Sequence, residues 1–263
     1  MKIDYAARVA IGTKETNDDR VLVDGRILDM TAVEGTILLP AVVAVCDGCG
    51  GYDGGGVAAE TVLEVFSREN PGDLENTGYL AQVLEQCARA VAEKKVEMPA
   101  CSKMCTTIAG CVFLDHSMLV FHAGDSRVYR HDRWGLARMT VDHSVVQQMV
   151  DMGQITEEEA RTSANRNVIT RCIGAVCLPP EIYVSHISIG PGEKFLLCSD
   201  GLWEYISREQ IVEILSGDSS LESMADALIE TALAQGSDDN ISVCICAAQG
   251  KTVITEEKPF VLE

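Results

Sequence analysis

An apolar run over residues 36–46 stops at Asp47 and gives way to glycine, and this junction constrains the chain more than any other feature. Val, Leu, Ile and Ala dominate from Thr36 to Cys46, the pattern of a strand covered on both faces. Gly48, Gly50, Gly51, Gly54, Gly55 and Gly56 follow, residues that let a backbone turn sharply and approach a ligand closely. A carboxylate at the end of a buried strand, with bare backbone beside it, suits a hard cation. One aspartate holds a metal poorly, so other ligands must arrive from elsewhere in the chain.

The remaining pattern supplies candidates. Residues 3–11 alternate as a half-buried strand, and Asp24-Gly25 between Val21-Leu22-Val23 and Ile27-Leu28 signals a hairpin. Helical periodicity follows at residues 57–68 and 80–97. Strand patterns return at residues 106–114 and 118–123 around Asp115-His116-Ser117, and the second of them ends in Gly124-Asp125-Ser126-Arg127. Asp142 is placed to cap a short helix over residues 144–152, and Thr156 with Glu159 forms a capping box. Residues 161–181 read as a polar surface loop. Residues 182–189 alternate as a strand, and a short buried run at residues 195–198 ends in Ser199-Asp200-Gly201. Ser207 with Gln210 is a second capping box, residues 221–234 are amphipathic, and Asp239-Asn240 precedes a last strand over residues 241–247.

Composition narrows the function. Lys and Arg number 21 against 40 Asp and Glu, a formal charge of -19 that argues against nucleic acid and against anionic membrane surfaces. No apolar run has the length of a membrane span and no signal peptide is evident, so a cytoplasmic monomer is expected. Eleven cysteines, an odd number lying mostly in apolar runs, read as reduced core residues. Cys46-x-x-Cys49 would need two more ligands to bind zinc, and Cys101-x-x-x-Cys105 is the other close pair; incidental thiols are the expectation. Because Cys46 and Cys49 flank Asp47, oxidation of that pair would displace the aspartate.

Asp47, Asp200 and Asp239 thus border buried strands, and Asp18-Asp19 and Asp125 occupy similar junctions. Brought together, such carboxylates repel and raise one another's pKa values unless divalent cations, Mg²⁺ or Mn²⁺ for an all-oxygen set, join them.

Asn17-Asp18-Asp19-Arg20, Cys46-Asp47-Gly48-Cys49-Gly50-Gly51, Thr106-Thr107, Gly124-Asp125-Ser126-Arg127, Asp142-His143-Ser144, Ser199-Asp200-Gly201 and Asp239-Asn240 occur in this order. Together they resemble the metal-dependent serine/threonine phosphatases of the protein phosphatase 2C family, bacterial single-domain type. The resemblance covers roughly residues 3–247. It implies a layered α/β fold, a central antiparallel β-sandwich flanked by pairs of antiparallel helices (α-β-β-α). It also implies a flap segment at about residues 143–181, within one phosphatase domain over residues 1–250 followed by a tail, 251–263.

It further implies a binuclear Mn²⁺ or Mg²⁺ centre that activates water or hydroxide against phosphoserine and phosphothreonine. By position, Asp47 matches the ligand shared by both metals and Gly48 offers its carbonyl oxygen. Asp200 and Asp239 complete one metal's set, Asp18 and Asp19 belong to the other's surroundings, and Asp125 with Asp200 matches a third, weaker site. Partners would be phosphorylated proteins, substrates of a serine/threonine kinase or the kinase itself. Lys14 stands where the family usually places the phosphate-gripping Arg, and Lys is a point charge without a bidentate fork. Asp18 replaces the usual Glu, and Cys49 stands where animal members carry a His, so no general acid is assigned. A silent relative acting as a binding module is the competing reading; retention of all the metal aspartates favours an enzyme.

Overall fold

The computed structural model describes residues 2–49, 54–174 and 185–249. Strands β1 (Lys2–Ala10), β2 (Asp19–Val23), β3 (Arg26–Leu28), β4 (Ala32–Leu38) and β5 (Ala41–Cys49) open the chain. Helices α1 (Gly55–Ser67) and α2 (Thr77–Glu97) come next. They lead to β6 (Cys105–Thr106), β7 (Ile108–Phe113), β8 (Ser117–Ala123), β9 (Arg127–Asp132) and β10 (Gly135–Arg138). Short helices α3 (Val145–Asp151) and α4 (Glu157–Thr162) precede β11 (Ser185–Ser188) and β12 (Lys194–Cys198). Helices α5 (Asp200–Trp203), α6 (Arg208–Ser216) and α7 (Leu221–Ala234) lead to β13 (Ile241–Ala248).

Two sheets form, ordered β10-β9-β12-β13-β1-β4 and β11-β8-β7-β5-β2-β3, with β6 pairing β5 off that path. Every strand pair is antiparallel. The expected α-β-β-α sandwich is the observed fold. Alternation along β5 shows how it is held together. Val43 and Val45 point between the sheets, toward Phe113 and Phe195, whose rings meet edge to face at 5.7 Å. Val42, Ala44 and Cys46 point the other way, into the core beneath α1 and α2, where Phe66 stacks on Phe121 at 5.2 Å. A third core lies between the other sheet and α5, α6 and α7. Burying both faces of the central strands removes apolar area at about 25 cal/mol per Å², the dominant favourable term in this fold.

Several sequence expectations change. The run over residues 36–46 is not one strand. Thr36, Ile37 and Leu38 end β4, a mostly exposed edge of the opposite sheet, and the chain crosses over at Leu39-Pro40 because Pro cannot donate to a central ladder. Nor does the strand stop at Asp47, since β5 continues to Cys49 through pairing with β6. β1 is covered on both faces, not one: Ala6 packs under α7 and the buried Arg8 is paired with Asp226 at 2.5 Å. Helix α2 begins a turn earlier than its periodicity suggests, because Asn76 caps it by accepting the Tyr79 N–H.

Both capping boxes form as expected. Asp142 is not a cap: Ser144 caps α3, and Asp142 turns inward to Arg127. Residues 161–174 are more than surface loop, since Cys172 and Ile173 are buried and bridges run Ser144↔Ile169 and Thr106↔Ile173. The rest of the expected flap (175–181), the start of the strand at 182–184, Gly50, Gly51 and the tail lie outside the described residues. Among the described residues no helix is long and apolar enough to cross a membrane.

Candidate metal centre

Six aspartates reach one end of the sandwich from five parts of the chain. Asp47 lies within β5, directly opposite Asp19 on β2. Asp47 is fixed by its backbone: its N–H donates to the Thr107 hydroxyl at 3.0 Å, and its carbonyl accepts the Thr107 N–H at 2.8 Å and the Thr106 hydroxyl at 2.9 Å. The Thr107 hydroxyl in turn bonds the buried Ser126 hydroxyl at 2.6 Å, joining this strand to the Asp125 loop.

Gly48 follows, and its N–H donates to the Asp18 carbonyl at 3.2 Å. A Cβ on Gly48 would lie 2.2 Å from the Gly55 backbone, so only glycine lets β5 meet the start of α1. The Asp18 carboxylate reaches the same place, accepting the Gly56 N–H at 2.8 Å. Gly48 and Asp18 thus meet at the start of α1, next in the chain to Asp47 and Asp19.

Asp200 and Asp239 border strands of the opposite sheet. Asp200 opens α5, where β12 ends, and it is near enough to Asp47 to raise that carboxyl's pKa. Asp239 immediately precedes Asn240 and β13; its carboxylate pairs with Lys14 Nζ at 3.1 Å. Asp19, nearly fully buried, accepts the Ser199 hydroxyl at 2.6 Å. Asp125 is buried at the end of β8, and its carbonyl accepts the Trp203 indole N–H at 3.0 Å.

The electrostatics follow from this crowding. Burial pushes Asp47 well above the usual carboxylate range, and Asp200, Asp19 and Asp125 add to it. Burial likewise drives Asp19 up to about 7; the Ser199 hydrogen bond opposes the shift, and Asp200 and Asp239 reinforce it. Asp125 and Asp200 are raised too, first by burial and then by their acidic neighbours. At Lys14 burial works against the charge, but the hydrogen bond to Asp239 outweighs it and raises the pKa. Such mutual repulsion is the signature of a cluster shaped for a charge that the protein itself does not provide. The donors are all oxygens, carboxylates plus the Gly48 carbonyl, so the set fits Mn²⁺ or Mg²⁺ rather than a soft metal.

The wall beside the carboxylates carries a second buried network. Arg127 makes a fork-like pair with Asp142, with Nη2 at 2.5 Å and Nε at 3.0 Å, and its guanidinium lies 3.4 Å from the Trp203 ring centroid. Its remaining nitrogen donates to the Tyr129 hydroxyl at 3.0 Å. This ion pair connects the segment that leads into α3 to the indole that holds the Asp125 carbonyl. His143 accepts the Gly124 N–H at 3.2 Å and stacks on His122, so it too fixes that segment. A cavity of about 170 Å³ opens between this network and helices α3 and α4, lined by Arg138, Arg161, Arg166 and Tyr205 among others.

The structure therefore brings together Asp18, Asp19, Asp47, Gly48, Asp125, Asp200, Asp239 and Lys14. The supporting residues Asn240, Ser199, Thr107 and Ser126 went unassigned in the sequence, although each lies within or beside one of the motifs quoted for the resemblance.

Cys46 and Cys49 do not pair. Three residues apart on a strand they face opposite ways, and Cys46 is fully buried in the helix-side core. The neighbours of Cys49 are Cys105 and Cys172.

A two-sheet sandwich covered by helices, with a carboxylate cluster at one end, defines the class of the fold. The chain belongs to the protein phosphatase 2C family, whose model matches residues 27–241. It is 33% identical over 246 residues to the serine/threonine protein phosphatase PstP of Mycobacterium tuberculosis, covering 92% of this chain and 44% of PstP, so it spans under half of that relative. It is 28% identical over 213 residues to the serine/threonine phosphatase stp of Listeria monocytogenes, covering 78% of this chain and 83% of that protein. The solved catalytic domain of PstP, in complex with two manganese ions, superposes with a TM-score of 0.79 at 29% identity, covering 95% of this chain and all of that one.

Proposed function

We propose that residues 1–250 form one metal-dependent phosphatase domain that hydrolyses phosphoserine and phosphothreonine in proteins. The observation that carries this reading is the crowding of buried carboxylates at one end of the sandwich, where burial and acidic neighbours raise Asp47 and Asp200, with Asp239 among the neighbours of Asp200 and Asp18 held at the start of α1 beside Gly48. Asp47 would hold both cations, with Asp18 and the Gly48 carbonyl on one and Asp200 and Asp239 on the other. Asp125 and Asp200 would hold a third. The PstP catalytic domain crystallised with manganese supports Mn²⁺ or Mg²⁺ as the ion.

Bound divalent cations supply neutralisation of the phosphoryl charge and an acidified water for in-line attack. The rest is done by the chain itself. Thr106 and Thr107 fix the backbone of Asp47 so that its carboxylate does not reorganise during the reaction. The Ser199 hydroxyl orients Asp19, which stands opposite Asp47 across the β2–β5 ladder, where it would accept a proton from a bound water. Lys14 lies at the rim, 47% exposed, where its ammonium can meet the phosphate of a docked substrate.

The formal charge of -19 favours phosphosites set in basic surroundings, since like charges repel before contact. Partners in this reading are proteins phosphorylated by a serine/threonine kinase, or that kinase, met by a monomer. The test is release of phosphate from a phosphothreonine peptide with and without Mn²⁺. Activity should require the metal and fall by at least about a hundredfold in Asp47→Asn. Metal-independent release, or unimpaired Asp47→Asn, would contradict the reading.

A further inference from the structure

A cluster of three thiols, distinct from the carboxylates, begins one residue beyond Gly48 on β5. The Sγ atoms of Cys49, Cys105 and Cys172 all lie within 4.8 Å of one another, and those of Cys49 and Cys105 are 2.9 Å apart. Three segments deliver them. Cys49 ends β5, Cys105 faces it across the β5–β6 ladder, and Cys172 precedes Ile173, which is held to Thr106 by backbone hydrogen bonds of 3.0 and 2.8 Å. Among the described residues, no other three His, Cys, Asp or Glu side chains bring their ligand atoms so close together. Cys49 and Cys105 are half-buried and Cys172 is buried, so the cluster is walled yet reachable from solvent.

We propose that Cys49, Cys105 and Cys172 form a binding site for a soft d10 cation, Zn²⁺ or Cu⁺. Zinc–thiolate bonds of about 2.3 Å place tetrahedral sulfurs about 3.8 Å apart, so side-chain adjustments of about 1 Å complete the set. Thiolates select these ions over Mn²⁺ and Mg²⁺, which prefer oxygen, so the two clusters sort their metals by softness. Three sulfurs suit trigonal Cu⁺, or Zn²⁺ with water as its fourth ligand. Hydrogen bonds from Cys172 and Cys49 lower the Cys105 thiol's pKa against the effect of burial, with Lys95 assisting. Each thiol that coordinates releases its proton to solvent.

The placement gives the site a mechanical consequence. Cys49 adjoins Gly48, and Thr106, next to Cys105, donates to the Asp47 carbonyl. A cation on the three sulfurs would tie the end of β5, β6 and the segment at Ile173 into one unit.

The test uses the full chain, reduced and anaerobic, with saturating Mg²⁺ to fill the carboxylates. Co²⁺ serves as the probe, because thiolate ligation gives an intense near-ultraviolet charge-transfer band that carboxylates do not produce. We expect one equivalent of Co²⁺ per chain to develop this band. Zn²⁺ should bleach it stoichiometrically, and Cu⁺ delivered from a chelator of known affinity should do the same if it is the preferred ion. Cys105→Ser and Cys172→Ser should each weaken binding at least tenfold, whereas Cys101→Ser, outside the cluster, should bind as the parent does. A band absent from the parent chain would overturn the proposal. So would one retained at full strength in a Cys105→Ser/Cys172→Ser variant that still melts cooperatively. The readout is independent of catalysis, so its failure would leave the phosphatase reading intact, and the reverse.

Discussion

Asn240 accepts the backbone N–H of Asp18 on its side-chain oxygen at 2.9 Å, joining two motifs 222 residues apart. Its amide nitrogen donates to the carbonyls of Ile11 at 2.9 Å and Thr16 at 3.0 Å, so one side chain holds the whole loop that carries Lys14 and Asp18. Asn240 is only 5% exposed, and its loss would leave those groups unsatisfied. Asn240→Ala should cost about 2–4 kcal/mol and weaken Mn²⁺ binding about 10–100-fold. Calorimetric melting and isothermal titration check the two effects separately.

The acidic cluster predicts how the metal-free protein responds to pH. Burial raises Asp19 from the usual 3.8 to about 7, with Asp47, Asp125 and Asp200 raised as well. Groups raised on folding contribute stability that is complete below their unfolded pKa and is lost as pH rises through the folded value. With chelator present, the melting temperature should therefore fall between about pH 5 and pH 8. Asp19→Asn should flatten that slope, and saturating Mn²⁺ should stabilise far more at the upper pH than at the lower. A melting temperature that rises over this window in chelator would contradict the assignment.

Arg127 is the keystone of the wall beside the cluster. Removing it leaves the buried Asp142 with only the longer contact to Arg138 at 3.4 Å, so Arg127→Ala should destabilise by about 3 kcal/mol. Arg127→Lys should recover only part of this, because an ammonium cannot reproduce the fork to Asp142 or lie flat on Trp203. Denaturant titration of the two variants measures the difference.

Gly48 tests the close approach of β5 to α1. Gly48→Ala would place a methyl 2.2 Å from the Gly55 backbone, moving the carbonyl that faces Asp18. Phosphate release should fall by more than about tenfold, with a matching loss of Mn²⁺ affinity. Full activity in this variant would show that the Gly48 carbonyl has no part in the site.

Much of this arrangement was legible in the sequence, for identifiable reasons. A buried strand and a carboxylate at its edge leave a local signature, so Asp47, Asp200 and Asp239 stand out from their neighbours alone, and the two capping boxes do so for the same reason. Long-range partners leave none. That Asp142 meets Arg127 instead of capping α3 depends on β9 lying beside the flap base, which no local pattern encodes. The thiol cluster was hidden twice. Cys172 sits in a stretch whose polarity suggested a surface loop, and the Cys49–Cys105 neighbourhood depends on the β5–β6 register. Pro40 was a visible signal that residues 36–46 could not form one central strand, and the apolar character of its neighbours masked it.

The most direct test of the account is a crystal of this chain soaked in Mn²⁺ and measured at the manganese absorption edge. Two anomalous peaks should flank the Asp47 carboxylate about 3.5–4 Å apart, one toward Asp18 and the Gly48 carbonyl, the other toward Asp200 and Asp239. A fully soaked crystal with no peak at Asp47, or with manganese only at surface carboxylates, would contradict it.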